Sequence, residues 1–124
     1  MDLEMNVLVV DDFATMRRIV KGVLKDLGFK KFIQAENGKA ALLELKKEKV
    51  GLIVSDWNMP EMTGLEFLKA VRSDEQFKQI PFIMVTAEGQ KENIVEAIKA
   101  GVSNYIVKPF APDTLKEKLE AVLG

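Results

Sequence analysis

Short apolar runs rich in β-branched residues alternate along this chain with stretches whose apolar positions recur every three to four residues. Met5–Val10 is the first such run and stops at Asp11-Asp12. Met16, Ile19, Val20, Val23, Leu24 and Leu27 then repeat at helical spacing, with Gly28 as a suitable stop. Phe32–Ala35 predicts a second strand, Asn37-Gly38 a turn, and Ala41 to Leu45 a helix running into lysines. Leu52–Ser55 predicts a third strand that ends at Asp56. Thr63 and Glu66 have the spacing of a capping box, and the helix they open turns Leu65, Leu68 and Val71 inward. Pro81–Thr86 predicts a fourth strand, and Ile94, Val95 and Ile98 a helix stopped by Gly101. Tyr105–Val107 predicts a fifth strand, and Pro112 opens a last helix carrying Leu115, Leu119, Val122 and Leu123.

The sum is five β–α units. Strands apolar on both faces belong in a parallel sheet covered on both sides, so an α/β doubly wound sandwich is expected. Such sheets bind ligands outside the carboxyl ends of their strands. Those ends are where function is to be sought.

Composition narrows the chemistry. The 124 residues suit one domain, with 18 basic and 19 acidic side chains and a net charge of −1. No cysteine and no histidine are present, which removes disulfides, thiolate and imidazole metal sites, and Ser-His or Cys-His nucleophile pairs. What remains is carboxylates, lysines, hydroxyls, backbone groups and oxygen-loving cations. The near-zero charge, with lysines interleaved among glutamates as in Lys46-Lys47-Glu48-Lys49, argues against a nucleic-acid partner. No apolar run reaches membrane-span length and the N-terminus is acidic rather than signal-like, so no membrane contact and a cytoplasmic location are expected.

Four strand ends offer reactive groups: Asp11-Asp12, Asp56, Thr86-Ala87, and Lys108-Pro109-Phe110. Singly, each has an ordinary explanation. Asp12 suits an N-cap, Asp56 a turn, Thr86 a plain strand position and Lys108 a solvated surface. Jointly they place three carboxylates, an ammonium and a hydroxyl on one rim, with neighbouring backbones ~4.8 Å apart. Carboxylates so close repel one another unless a hard cation such as Mg²⁺ joins them. The chemistry that fits is phosphoryl transfer to a carboxylate, with Asp56 as nucleophile.

Val9-Val10-Asp11-Asp12, Ser55-Asp56-Trp57-Asn58-Met59-Pro60, Met84-Val85-Thr86-Ala87 and Tyr105-Ile106-Val107-Lys108-Pro109-Phe110 resemble the receiver-domain signature. With Phe13-Ala14-Thr15-Met16-Arg17-Arg18 and Lys91-Glu92-Asn93-Ile94, the whole chain resembles the CheY-type chemotaxis response regulators, stand-alone receivers. The resemblance implies a flavodoxin-like five-stranded sheet of order 2-1-3-4-5, an order for which those regulators are themselves a reference example. It implies that Asp56 accepts a phosphoryl group from a chemotaxis histidine kinase. Asp12, Asp56 and the Asn58 carbonyl would bind Mg²⁺, or Mn²⁺ in its place, with Asp11 acting through water. Thr86, Lys108 and the backbone N–H groups of Trp57, Asn58 and Ala87 would hold phosphoryl oxygens, and Lys108–Pro109 would be cis. Asn58 and Glu88 would modulate dephosphorylation. Thr86 and Tyr105 would switch an output face including Lys91, Ile94 and Lys118, which binds the flagellar motor switch. A phosphatase is a further partner, and a monomer is expected.

Rival functions remain. A phosphate sink or non-motility regulator would have the same site. A transcription factor is disfavoured because the chain ends just after the fifth helix, giving a single receiver domain over residues 1–124 without an output domain. A phosphatase with an aspartate nucleophile would want a second acid where Asn58 stands, and a flavin binder would not place Asp11-Asp12 in its phosphate loop. Family departures are Ala14, where serine is frequent, and Gly89-Gln90, which loosens the loop after Thr86.

Overall fold

The computed structural model describes residues 2–87 and 91–124. Ten elements alternate strictly: β1 (Asn6–Val10), α1 (Ala14–Asp26), β2 (Lys31–Ala35), α2 (Gly38–Lys47), β3 (Val50–Asp56), α3 (Gly64–Ser73), β4 (Phe82–Thr86), α4 (Lys91–Lys99), β5 (Asn104–Val107) and α5 (Pro112–Leu123). The strands form one parallel sheet in the order β2-β1-β3-β4-β5. The doubly wound sandwich and its strand order are therefore as expected.

The alternation of side chains across the pleat explains the unbroken apolar runs. Leu8, Val10, Ile53, Phe82 and Met84 join one core layer with Phe67, Leu68 and Val71 of α3 and Ala41 and Leu45 of α2. Val7, Val9, Leu52, Val54, Ile83 and Val85 face the other way, onto Val20, Val23 and Leu24 of α1 and Leu115 and Leu119 of α5. β1, β3 and β4 are thus apolar on both faces because each serves two cores.

Helix boundaries follow local chemistry. The Asn37 side chain accepts from the Ala40 N–H at 2.8 Å, so Asn37-Gly38 is the start of α2 rather than a turn before it. The capping box is present: the Thr63 hydroxyl accepts from the Glu66 N–H at 3.2 Å, and the Glu66 carboxylate accepts from the Thr63 N–H at 3.1 Å. Gly28 and Gly101 take φ of 106° and 93°, the left-handed stop that an amino acid with a Cβ resists.

One inward assignment fails, and three further apolar positions at helical spacing are exposed. Leu65 is only half-buried while Phe67 is fully enclosed, because α3 turns its Phe67–Leu68–Val71 stripe to the sheet. Ile19 lies on the outer face of α1 at 48% exposure. In α4, Val95 and Ile98 are exposed at 39% and 60%, and Ala97 makes the buried contact instead.

Candidate functional site

The carboxyl rim of the sheet gathers the residues singled out from sequence. β1 delivers Asp11 and Asp12 from the residues following Val10, and β3 delivers Asp56 as its last residue. Carboxylate oxygens of the three acids lie within 4.8 Å of one another. Asp11 and Asp56 are almost fully buried, at 3% and 4% exposure. Lys108 reaches in from the end of β5, its ammonium 3.1 Å from Asp56 Oδ1 and 3.4 Å from Asp11 Oδ2. The Lys108–Pro109 peptide bond is cis.

Electrostatics show a site held short of neutrality. Burial raises the Asp56 carboxyl above its usual range, and the negative charge of Asp11 adds to this against the pull of Lys108. Burial likewise raises Asp11, opposed by a hydrogen bond from the Phe13 N–H and by Lys108. One ammonium shared between two of three carboxylates leaves negative charge in excess.

Hydrogen bonding separates the acids. Both Asp11 oxygens are engaged, Oδ1 accepting from the Phe13 N–H at 2.9 Å and Oδ2 from Lys108. Asp12 Oδ1 is buried without a hydrogen-bond partner among the described residues, and Asp56 Oδ1 is buried with only the Lys108 ammonium beside it at 3.1 Å. Nor does Asp12 cap a helix: Phe13 is the N-cap of α1, with no side-chain bond. An orphaned Asp12 oxygen beside an Asp56 oxygen met only by an ion pair, among three converging acids, is an arrangement that a small divalent cation with oxygen ligands would complete.

Around this centre, Thr86 is buried at the end of β4, and its carbonyl accepts from the Lys108 N–H at 2.7 Å. Asn58 and Ala87 are exposed at the rim, and Trp57 is half-buried. The Trp57 N–H donates to Val85 O at 2.9 Å and also lowers the Asp56 carboxyl, so this expected phosphate donor is already partly engaged.

Tyr105 pairs with Met84 and Thr86 with Val107, which puts Thr86 and Tyr105 on the same sheet face. The half-buried Tyr105 ring carries the Lys118 ammonium 5.2 Å from its centre. Ile94 is half-buried on α4. Glu88, Gly89, Gln90 and the Lys91 side chain lie outside the described residues.

Two contributors carry no signal that sequence reasoning used. A Cβ at Gly64 would overlap the Asp56 carbonyl and sit 2.9 Å from both Met84 Sδ and Trp57 Cα, so only glycine lets α3 start this close to Asp56. Arg17 donates to the Asp11 carbonyl at 2.5 Å and to Gln34 Oε1 at 3.1 Å. Its place in the Phe13–Arg18 motif was the available hint.

Residues 7–120 match the family described as response regulator receiver domain. The chain is 54% identical to chemotaxis protein CheY1 of Helicobacter pylori over 121 residues, covering 97% of this chain and 98% of that one. It is 53% identical to chemotaxis protein CheY-3 of Vibrio cholerae, covering 95% and 91%. Among solved structures, chemotaxis response regulator CheY4 of Vibrio cholerae superposes with a TM-score of 0.88 at 40% identity, over 96% of this chain and 98% of that one. A fold, an acidic rim and a sequence match that agree along nearly the whole chain leave one conclusion: this chain belongs to the response regulator receiver domain family.

Proposed function

We propose that this chain is a chemotaxis response regulator, phosphorylated on Asp56 by a histidine kinase and carrying that signal to the flagellar motor switch. The observation that bears the reading is the buried Asp56 carboxylate, flanked by Asp11, Asp12 and the Lys108 ammonium on the rim where receiver domains bind Mg²⁺.

An Asp56 oxygen attacks the phosphorus of the kinase's phosphohistidine; the P–N bond breaks, a P–O bond forms, and the imidazole leaves. The histidine missing from this chain is thus supplied by the partner. Asp12, Asp56 and the Asn58 carbonyl would hold Mg²⁺, with Asp11 assisting, and the bound ion would neutralise charge on the phosphoryl oxygens. Lys108 is already placed to move from the carboxylates to a phosphoryl oxygen, and the Thr86 hydroxyl takes another. Drawing Thr86 inward frees space on the face it shares with Tyr105, so phosphorylation biases the tyrosine and with it the surface of α4, β5 and α5. Hydrolysis of the acyl phosphate, modulated at Asn58 and Glu88, ends the signal. No helix among the described residues is long and apolar enough to cross a membrane, which suits a diffusing messenger between kinase and motor.

The test is titration of a motor-switch peptide with and without an acyl-phosphate mimic. Binding that tightens at least tenfold with the mimic supports the reading. Equal binding in both states removes the motor role and leaves a phosphate sink.

A further inference from the structure

We propose that Arg17 is the positioning residue of the acidic rim: it fixes the peptide group joining Asp11 to Asp12 and thereby sets the affinity of the three carboxylates for a divalent cation. The inference rests on the reading of that rim as a Mg²⁺ site. Arg17 Nη1 donates to the Asp11 carbonyl at 2.5 Å, while Nε donates to Gln34 Oε1 at 3.1 Å. The accepting oxygen belongs to the planar Asp11–Asp12 peptide, so holding it fixes Asp12 N and Cα, the base from which the Asp12 side chain projects.

The other polar atoms of Asp11 are held as well. Its N–H donates to Ala35 O at 3.1 Å, Oδ1 accepts from the Phe13 N–H at 2.9 Å, and Oδ2 is 3.4 Å from Lys108 Nζ. Asp12 has no comparable set, since its buried Oδ1 has no donor among the described residues. Its aim therefore depends on the backbone before it. Gln34, in the strand beside β1, gives the guanidinium a second anchor, a two-point geometry that lysine does not reproduce.

Arg17 also brings positive charge towards a cation site, and this gives the proposal a sign. An arginine acting by charge alone repels Mg²⁺, so removing it tightens binding; a positioning arginine does the reverse. The experiment is Mg²⁺ titration read by Trp57 fluorescence on wild type, Arg17→Gln, Arg17→Lys and Gln34→Ala, each checked for folding by thermal melts in EDTA. Arg17→Gln is expected to raise the midpoint about tenfold, as for other residues that orient metal ligands. Gln34→Ala should raise it about threefold, as loss of a single hydrogen bond does. Arg17→Lys, which keeps the charge but loses the fork, should fall between wild type and Arg17→Gln. An unchanged or lowered midpoint in folded Arg17→Gln overturns the proposal. If Arg17→Gln does not fold, the Gln34→Ala midpoint decides on the same criterion. A wild type with no saturable Mg²⁺ response overturns the metal reading and this proposal with it.

Discussion

The two rims of the sheet handle buried charge in opposite ways. On the rim away from Asp56, Arg72 leaves α3 and donates to the carbonyls of Gly101, Lys78 and Ile80 at 2.8, 3.1 and 2.7 Å, and to Ser103 Oγ at 3.4 Å. Burial lowers its pKa, yet a guanidinium so placed stays charged and bound on every side. On the carboxyl rim, one buried acid oxygen has no donor among the described residues, another is met only by the shared Lys108 ammonium, and two acids are pushed towards protonation. One rim closes two loops; the other holds an excess of negative charge of the kind that a divalent cation offsets. Stability and function are thus built at opposite ends of the same strands.

The sharpest way to separate the rims is Arg72→Ala. It strands three backbone carbonyls at once, so the expected loss is about 3 kcal/mol of stability by denaturant unfolding. The Mg²⁺ midpoint of the remaining folded protein should not move. A shifted midpoint would mean that the rims are coupled through α3.

A smaller effect reads the acidic rim by pH. Asp11 and Asp56 hold protons more tightly folded than unfolded, so the native state binds the extra protons between the usual value of 3.8 and their raised values. Stability therefore falls as pH rises through that window, and this contribution stays lost above it. Glu66 runs the other way: the hydrogen bond from Thr63 lowers its pKa, so its contribution is present above the usual 4.5 and lost as pH falls. Comparison with Asp56→Asn isolates the rim from such groups. In EDTA at neutral pH, Asp56→Asn should melt a few degrees above wild type, on the order of 1 kcal/mol. That gap should shrink on acidification, and on adding Mg²⁺ at neutral pH. A wild type that out-melts Asp56→Asn in EDTA would contradict the account of the rim.

How much the sequence disclosed varied with the residue. Strands that serve two cores announce themselves as continuous apolar runs, so Asp56 and Thr86 at the ends of β3 and β4, and Lys108 just past the shorter run of β5, are legible from sequence as sharing one rim. Helical spacing is a weaker guide, because a helix buries only one stripe. Ile19 and Ile98 have the right hydropathy and the wrong angle, and Phe67 went unnoticed beside Leu65 and Leu68. Asn37-Gly38 fits a turn and a helix start equally well until the Ala40 N–H is seen on the Asn37 side chain. Arg17 and Gly64 were illegible as site residues for a different reason. Their roles lie in contacts with main-chain atoms of Asp11 and Asp56, which no pattern of side chains records.

The most direct measurement of the central claim is intact mass after incubation with acetyl phosphate. Wild type with Mg²⁺ should gain about 80 Da, the mass of one phosphoryl group on a carboxylate. The gain should be absent in EDTA and absent in Asp56→Asn. An equal adduct in Asp56→Asn, or none in wild type with Mg²⁺, would contradict the assignment of Asp56 as the phosphoacceptor.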